Sequence, residues 1–236
     1  MSMKIDFHIH SNFSWDATSS PEEIVDAAIE KNIDCICITD HGQIQGAIRA
    51  MKYGFDKNIL VIPGIEVLSQ SGDILGINIK KVIPDGLTSQ ETIEEIRKQK
   101  GIVIIPHPFN WPAGNFRGSE KEFFLVDAIE IFNATVFGFT NKRAVNFCQK
   151  KGLAFSAGSD AHVAKFVGRG YLEIPKNILS EKELSEELRN KTGKIQGKIL
   201  NLWETIENSL RSDPRKLFNY YYGLIPRKRE VQNRRD

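Results

Sequence analysis

Short apolar runs rich in β-branched residues alternate along most of this chain with stretches in which apolar residues recur at helical spacing. Such alternation predicts βα units around a parallel sheet. Strands are expected at Lys4–Ile9, Asp34–Thr39, Leu60–Val67, Ile74–Ile79, Ile102–Pro106, Ala128–Phe132, Leu153–Ala157 and Tyr171–Ile174. Ser20-Pro-Glu-Glu23 supplies an N-cap, a proline at the first helical position and a glutamate that closes a capping box, so a helix is expected over Pro21–Lys31. Thr88–Glu91, Ser119–Glu122 and Ser180–Glu183 repeat that spacing, each ahead of a further expected helix. Beyond about Lys191 the strand pattern stops, and a helical stretch, Ile199–Leu210, leads to the aromatic cluster Phe218–Tyr222. Two parts are therefore expected: a barrel domain over residues 1–190, and a helical extension over 191–236 that ends in a solvated basic tail.

Composition changes this picture little. At 41% hydrophobic and 26% charged residues the chain reads as an ordinary soluble globular protein. No apolar run approaches the ~20 residues of a membrane-spanning helix, and the N-terminus MSMKIDF lacks the pattern of a signal peptide. A cytoplasmic protein with no membrane partner and no obligate protein partner is expected. The cysteines are odd in number, and Cys35 and Cys37 share one face of a strand, which suits small buried residues better than a disulfide framework. Charge is uneven: from Arg211 onward eight basic residues stand against three acidic ones, so the tail is basic and the body slightly acidic. A tail of this kind favours salt-dependent, nonspecific contacts.

The histidines carry the chemistry. All five fall within short motifs: His8 and His10 in DFHIHSNFS, His41 in TDHG, His107 in IPHPFN and His162 in GSDAHV. Asp40, Asp160, Asp16 and Glu66 supply carboxylates near them, and imidazole with carboxylate is the usual donor set for divalent transition metals. His8 and His10, two residues apart at a strand end, point to the same side. His41, Glu66, His107, Asp160 and His162 also sit at or just past the ends of predicted strands, and in a βα barrel those ends converge on one face. Taken singly, each motif reads equally well as a turn or a helix cap; together they indicate a multi-metal site.

This series, HIH, TDH, Glu, PHP and SDAH in that order, resembles the PHP (polymerase and histidinol phosphatase) family over roughly residues 4–175. The resemblance implies an α/β fold, a distorted (β/α)7 TIM-like barrel with a C-terminal helical appendage, and two or three divalent ions (Mn, Fe or Zn). Carried onto this chain, it implies that His8, His10, Glu66 and Asp160 hold one ion, Glu66 and His107 a second, and Asp16, His41 and His162 a third. One position departs from the family: many members have a histidine in a Gly-His-x-Leu-Gly-like sequence, where this chain reads Gly72-Asp-Ile-Leu-Gly76. An anionic oxygen from Asp73 in place of a nitrogen donor favours harder ions, Mn or Fe over Zn.

Clustered divalent ions suit phosphoester hydrolysis, and the resemblance implies the same reaction, with Asp16, His41, Glu66, Asp160 and His162 as the catalytic set. Substrate phosphate needs cationic or polar partners: Arg117 and Arg169 in glycine-containing loops, and Asn133 at a strand end, are the expected ones, ahead of Lys165 and Arg143. Trp111 in the same loop as Arg117 is read either as a stacking surface or as packing. The leading expectation is a phosphatase acting on a small phosphorylated metabolite or a nucleotide. An exonuclease on short RNA or DNA is the alternative, favoured by the basic tail and Tyr220, Tyr221 and Tyr222. A non-catalytic, metal-stabilised binding module is the third reading, disfavoured because a structural role does not require open metal sites.

Overall fold

A computed structural model of the chain describes residues 2–110, 116–175 and 181–210. Nine strands form one sheet: β1 (Met3–Ile9), β2 (Cys35–Ile38), β3 (Leu60–Ser69), β4 (Gly72–Ile77), β5 (Ile102–Ile105), β6 (Ala128–Asn133), β7 (Phe155–Gly158), β8 (Gly170–Ile174) and β9 (Lys194–Gly197). Their spatial order is β7-β6-β5-β4-β3-β2-β1-β8-β9. The sheet curls until the end of β7 lies beside β1, where the Asp160 amide donates to the His8 carbonyl (2.8 Å) and the His10 amide to the Ala161 carbonyl (2.9 Å). The result is a nearly closed barrel, as the resemblance implies.

The sheet is not purely parallel as expected. β1–β2, β2–β3, β5–β6 and β6–β7 pair parallel, whereas β4 runs antiparallel to both neighbours and β8 to both of its own. Only two residues, Gln70 and Ser71, join β3 to β4, too short for the helical crossover that a parallel pair needs. β9 lies beyond Lys191, where no strand is expected; its sequence Lys-Ile-Gln-Gly is polar and mostly exposed, so no apolar alternation betrays it.

The helices are α1 (Pro21–Glu30), α2 (Gln45–Gly54), α3 (Ser89–Lys98), α4 (Gly138–Lys151), α5 (Glu181–Asn190) and α6 (Leu202–Leu210). Complete capping boxes at Ser20 and Thr88 start α1 and α3. The box at Ser119 starts only a short 3-10 turn, Glu120–Phe124, instead of a full helix. Among the described residues no helix is long and apolar enough to cross a membrane. Phe218–Tyr222, the basic tail, Trp111 and Ser180 lie outside the described residues.

Among the described residues, three apolar clusters hold the fold. Ile5, Phe7, Cys35, Cys37, Leu75, Ile77 and Ile104 fill the barrel, with Leu184 and Leu188 of α5 in the same cluster. Outside it, α1 and α2 pack on Ile9, Ile36 and Ile38, while Ile93 and Ile96 of α3 and Ala144 and Cys148 of α4 pack on Ile65, Val103 and Ile129. Burial raises the Cys37 thiol well above its ordinary pKa, so this cysteine behaves as an inert apolar residue.

Strict alternation on β1 would put Ile5, Phe7 and Ile9 on one face. Instead the register with β2 shifts: Asp6 pairs with Ile36 but Ile9 with Ile38, so β1 carries one residue more. Ile5 and Phe7 face the barrel interior, Ile9 turns out to α1 and α2, and His8 and His10 take over the inner face. A bulge thus converts a core strand into a ligand strand within three residues. A second shift, on β6 between Glu130 and Phe132, lies at the same end of the barrel.

Candidate metal centre

The ends of β1, β2, β5 and β7 bring most of the expected ligands together; Glu66, expected at a strand end, instead lies within β3, which runs on to pair with β4 and Asp73. His8 Nε2 and His10 Nε2 lie 3.1 Å apart. Asp160 Oδ1 is 3.5 and 3.4 Å from these two nitrogens, and Glu66 Oε2 is 3.6 and 3.4 Å from them. On one side His107 Nε2 lies 3.6 Å from Glu66 Oε1, and Glu66, Asp73 and His107 have donor atoms within 4.8 Å of one another. On the other, Asp16 Oδ2 is 3.0 Å from His41 Nε2 and 3.4 Å from His162 Nε2, and His41 Nδ1 is 3.0 Å from Glu66 Oε2. Asp73, on β4, faces the same side as Glu66 because it pairs with Leu68, two residues along β3. The shorter carboxylate sits inside the cluster, buried.

The partners of the other imidazole nitrogens decide where the protons reside. His8 Nδ1 is 3.1 Å from Glu130 Oε1, and His162 Nδ1 is 2.9 Å from the Asp160 carbonyl. Carboxylate and carbonyl oxygens only accept here, so both Nδ1 atoms carry hydrogen, and a cation that displaces any proton from Nε2 meets both Nε2 lone pairs. Two neighbouring Nε2 atoms amid buried carboxylates form the donor set a divalent cation requires, and the residues present fit such ions.

Without a cation the cluster balances itself with protons. Burial disfavours charge on every member, but Asp160 and Glu130 hold the His8 imidazole well above its ordinary range, and His107 is pushed up to about 9, mainly by Glu66. Burial and neighbouring His162 hold His10 well down, and burial likewise lowers His162. Glu66 and Asp160 are buried, which alone would raise them, yet the imidazoles of His41 and His8 respectively lead in holding them well below the carboxylate range.

Two of the expected ligands sit on strained backbone: His107 at φ 29° and Asp160 at φ 50°, in the left-handed region that non-glycine residues seldom adopt. Both are fixed from behind. The His107 amide donates to Glu130 Oε2 (2.8 Å), and the Asp160 amide to His8, as above. Strain held in place by such contacts is characteristic of ligand and catalytic positions.

The expected substrate partners are placed differently. Asn133 is fully buried, and its amide nitrogen bridges Glu130 Oε2 (3.0 Å) and Asp160 Oδ2 (3.2 Å). Arg169 grips both oxygens of Glu204 at 2.6 Å, tying the loop before β8 to α6 instead of reaching into the cluster. Lys165 pairs with Glu207 of α6, and the Arg143 guanidinium lies over the Phe109 ring. Arg117 is exposed, and its amide donates to the Ser71 carbonyl, which sets it beside the hairpin that carries Asp73.

Three residues outside the expected site set frame the centre: Asp40 lies in the TDHG motif, whereas Glu130 and Asn208 lie in none. Glu130 touches His8, His107 and Asn133 at once. Asp40 accepts from the Ser11 amide and hydroxyl at 2.6 and 2.7 Å and so fixes the loop after β1. Asn208, on α6, accepts from the His162 amide (2.9 Å) and donates to the Asp160 carbonyl (3.2 Å). The segment beyond residue 190 therefore buttresses the centre. A buried acid in the run Ala-Ile-Glu-Ile was a usable signal for Glu130; Asn208 offered none.

Known proteins resemble this chain along most of its length. An uncharacterised protein of Methanocaldococcus jannaschii is 30% identical over 86% of this chain and 88% of its own. A probable phosphatase of Caldicellulosiruptor bescii is 27% identical over 80% and 91%. A two-domain protein from Bacteroides vulgatus, described as containing a predicted PHP-like metal-dependent phosphoesterase, shares the fold at a TM-score of 0.71 and 20% identity, over 88% of this chain and 70% of that one. The family model for the PHP domain matches residues 6–229, which takes in every expected ligand together with β9 and α6, and the chain belongs to the PHP domain family.

Proposed function

We propose that this protein is a metal-dependent phosphoesterase that removes phosphate from a small phosphorylated metabolite or a nucleotide. The observation that carries this reading is the convergence of His8, His10, Asp16, His41, Glu66, Asp73, His107, Asp160 and His162 on one buried cluster. Two or three divalent ions held there, Mn or Fe in preference to Zn beside Asp73, would supply hydroxide at neutral pH and neutralise phosphoryl charge. Glu66 spans the cluster: Oε1 faces His107, and Oε2 faces His8, His10 and His41. His162 and His41 are its more exposed imidazoles, so substrate approaches from their side, with Asp16 between them. Asp160 is held by Asn133 and by the Thr135 hydroxyl (2.9 Å), which keeps Oδ1 turned to His8 and His10. Arg117 is the phosphate partner in this reading; Arg169 and Asn133 serve the frame.

The test is phosphate release by protein stripped of metal and resupplied with Mn, Fe(II) or Zn, across nucleoside monophosphates, sugar phosphates and short oligonucleotides. Metal-dependent turnover of a monoester that Asp160→Asn abolishes, with metal content lowered and the fold intact, is expected. Metal-loaded protein that releases nothing from any substrate would overturn the reading. Release of mononucleotides from oligonucleotides alone would replace it with an exonuclease.

A further inference from the structure

The polar cluster lies deep, while its mouth carries aromatic rings. Trp15 stacks on His41 with ring centroids 5.8 Å apart and planes inclined by 25°, yet it remains 54% exposed. His41 in turn lies against His10, with ring centroids 4.6 Å apart and planes tilted by 31°, so the indole continues a series of ring contacts that begins inside the cluster. Phe13, in the same loop, is 39% exposed, and Phe137 and Phe139, stacked on each other just past the end of β6, are more exposed still.

The loop bearing Trp15 is built to hold it there. The Asn12 amide donates to the Ser19 carbonyl (2.8 Å), Ser14 to Ser11 (2.8 Å) and Thr18 to the His162 carbonyl (3.1 Å). The Ser14 hydroxyl accepts from the His41 amide at 3.1 Å, and Ser11 is clamped on Asp40. Exposing this much indole in a fixed loop forgoes apolar burial, and the neighbouring residue, Asp16, is itself one of the cluster's carboxylates. A ligand with a charged end and a planar ring would place the first at the cluster and the second on the indole.

We infer that Trp15 is a specificity residue: a platform on which the planar ring of the substrate stacks while its phosphate reaches the cluster, which makes a nucleoside phosphate the preferred substrate class. Sugar phosphates carry no planar aromatic ring and gain less from the indole. This rests on the phosphoesterase reading for its catalytic arm, and a binding arm keeps the two separable. Stacking of one base on an aromatic side chain predicts a selective effect of about tenfold or more.

The experiment compares Trp15→Ala and Trp15→Phe with the unaltered, Mn-loaded full chain on adenosine monophosphate and on glycerol phosphate. Trp15→Ala should lose at least about tenfold more kcat/KM on adenosine monophosphate than on glycerol phosphate, chiefly through KM, and Trp15→Phe should recover most of it. Equal losses on both substrates, or no loss, would overturn the inference. Should the protein hydrolyse neither compound, fluorescence decides: with Trp111 and Trp203 replaced by Phe, saturable quenching of Trp15 by adenosine monophosphate but not by glycerol phosphate supports the platform. Absence of such quenching refutes it.

Discussion

Glu130 Oε1 lies 3.1 Å from His8 Nδ1, with both side chains buried, and the other oxygen of the same carboxylate accepts from the His107 amide. One acid thereby sets the proton position of one expected ligand and the strained backbone of another. Glu130→Gln keeps the shape but removes the charge and one acceptor. Metal affinity should fall by about 10- to 100-fold, the usual cost of losing such an outer partner, with the circular dichroism spectrum unchanged. Isothermal titration with Mn would check it, and unaltered affinity would show that Glu130 only fills space.

Gly158 makes that contact sterically possible. A Cβ there would collide with the His8 Cβ and with Glu130 Oε1. Gly158→Ala is expected to force the pair apart, lowering stability by about 1–3 kcal/mol and weakening metal binding together. Urea unfolding and metal titration on the same variant test this; a loss of stability with metal affinity intact would separate the glycine from the centre.

Asp73 faces His107 and Glu66 from the hairpin partner strand. Replacing its oxygen by a nitrogen donor should shift preference from Mn toward Zn. Elemental analysis of Asp73→His after dialysis against equimolar Mn and Zn gives the answer: an unchanged ratio would place Asp73 outside the ligand set.

Proton balance in the metal-free cluster has a measurable sign. His107 rises from 6.5 to about 9 in the folded chain, because the hydrogen bond it donates to Glu66 and the charges of Glu130, Glu66 and Asp160 outweigh burial. A folded pKa above the unfolded one gives stability that is complete below about pH 6.5 and is lost as pH rises through about 9. Metal-free protein should therefore melt at progressively lower temperature across that window, while affinity for Mn rises because the ion displaces the proton. Scanning calorimetry with and without Mn tests both; a rising Tm in the metal-free protein would contradict the assignment. Glu66 and Asp160, both depressed, affect stability only at acid pH, outside this window.

Much of the centre was legible in the sequence because metal ligation needs particular donor atoms at strand ends, and both are local properties. His8 and His10 lie two residues apart on one strand, and Ser20 and Thr88 announce the starts of α1 and α3. Asp73 stood out as a departure from a family pattern, and Trp15, beside Asp16, was passed over because an aromatic residue in a loop reads first as packing.

What the chain alone determined was which residues carry the chemistry. Only the tertiary structure decided which way they face and what holds them. Strict alternation would have grouped Ile9 with Ile5 and Phe7; a bulge, visible only in the pairing of β1 with β2, reverses it. Arg169 and Asn133 looked like substrate groups until Glu204, Glu130 and Asp160 took their donors. Asn208 reaches His162 across 46 residues of chain, and the polar β9 finds its place only because β8 leaves an edge to pair with. Donor chemistry and local periodicity belong to a segment of sequence, whereas register, strand direction and the partner of a buried polar group depend on contacts between segments that no single stretch encodes.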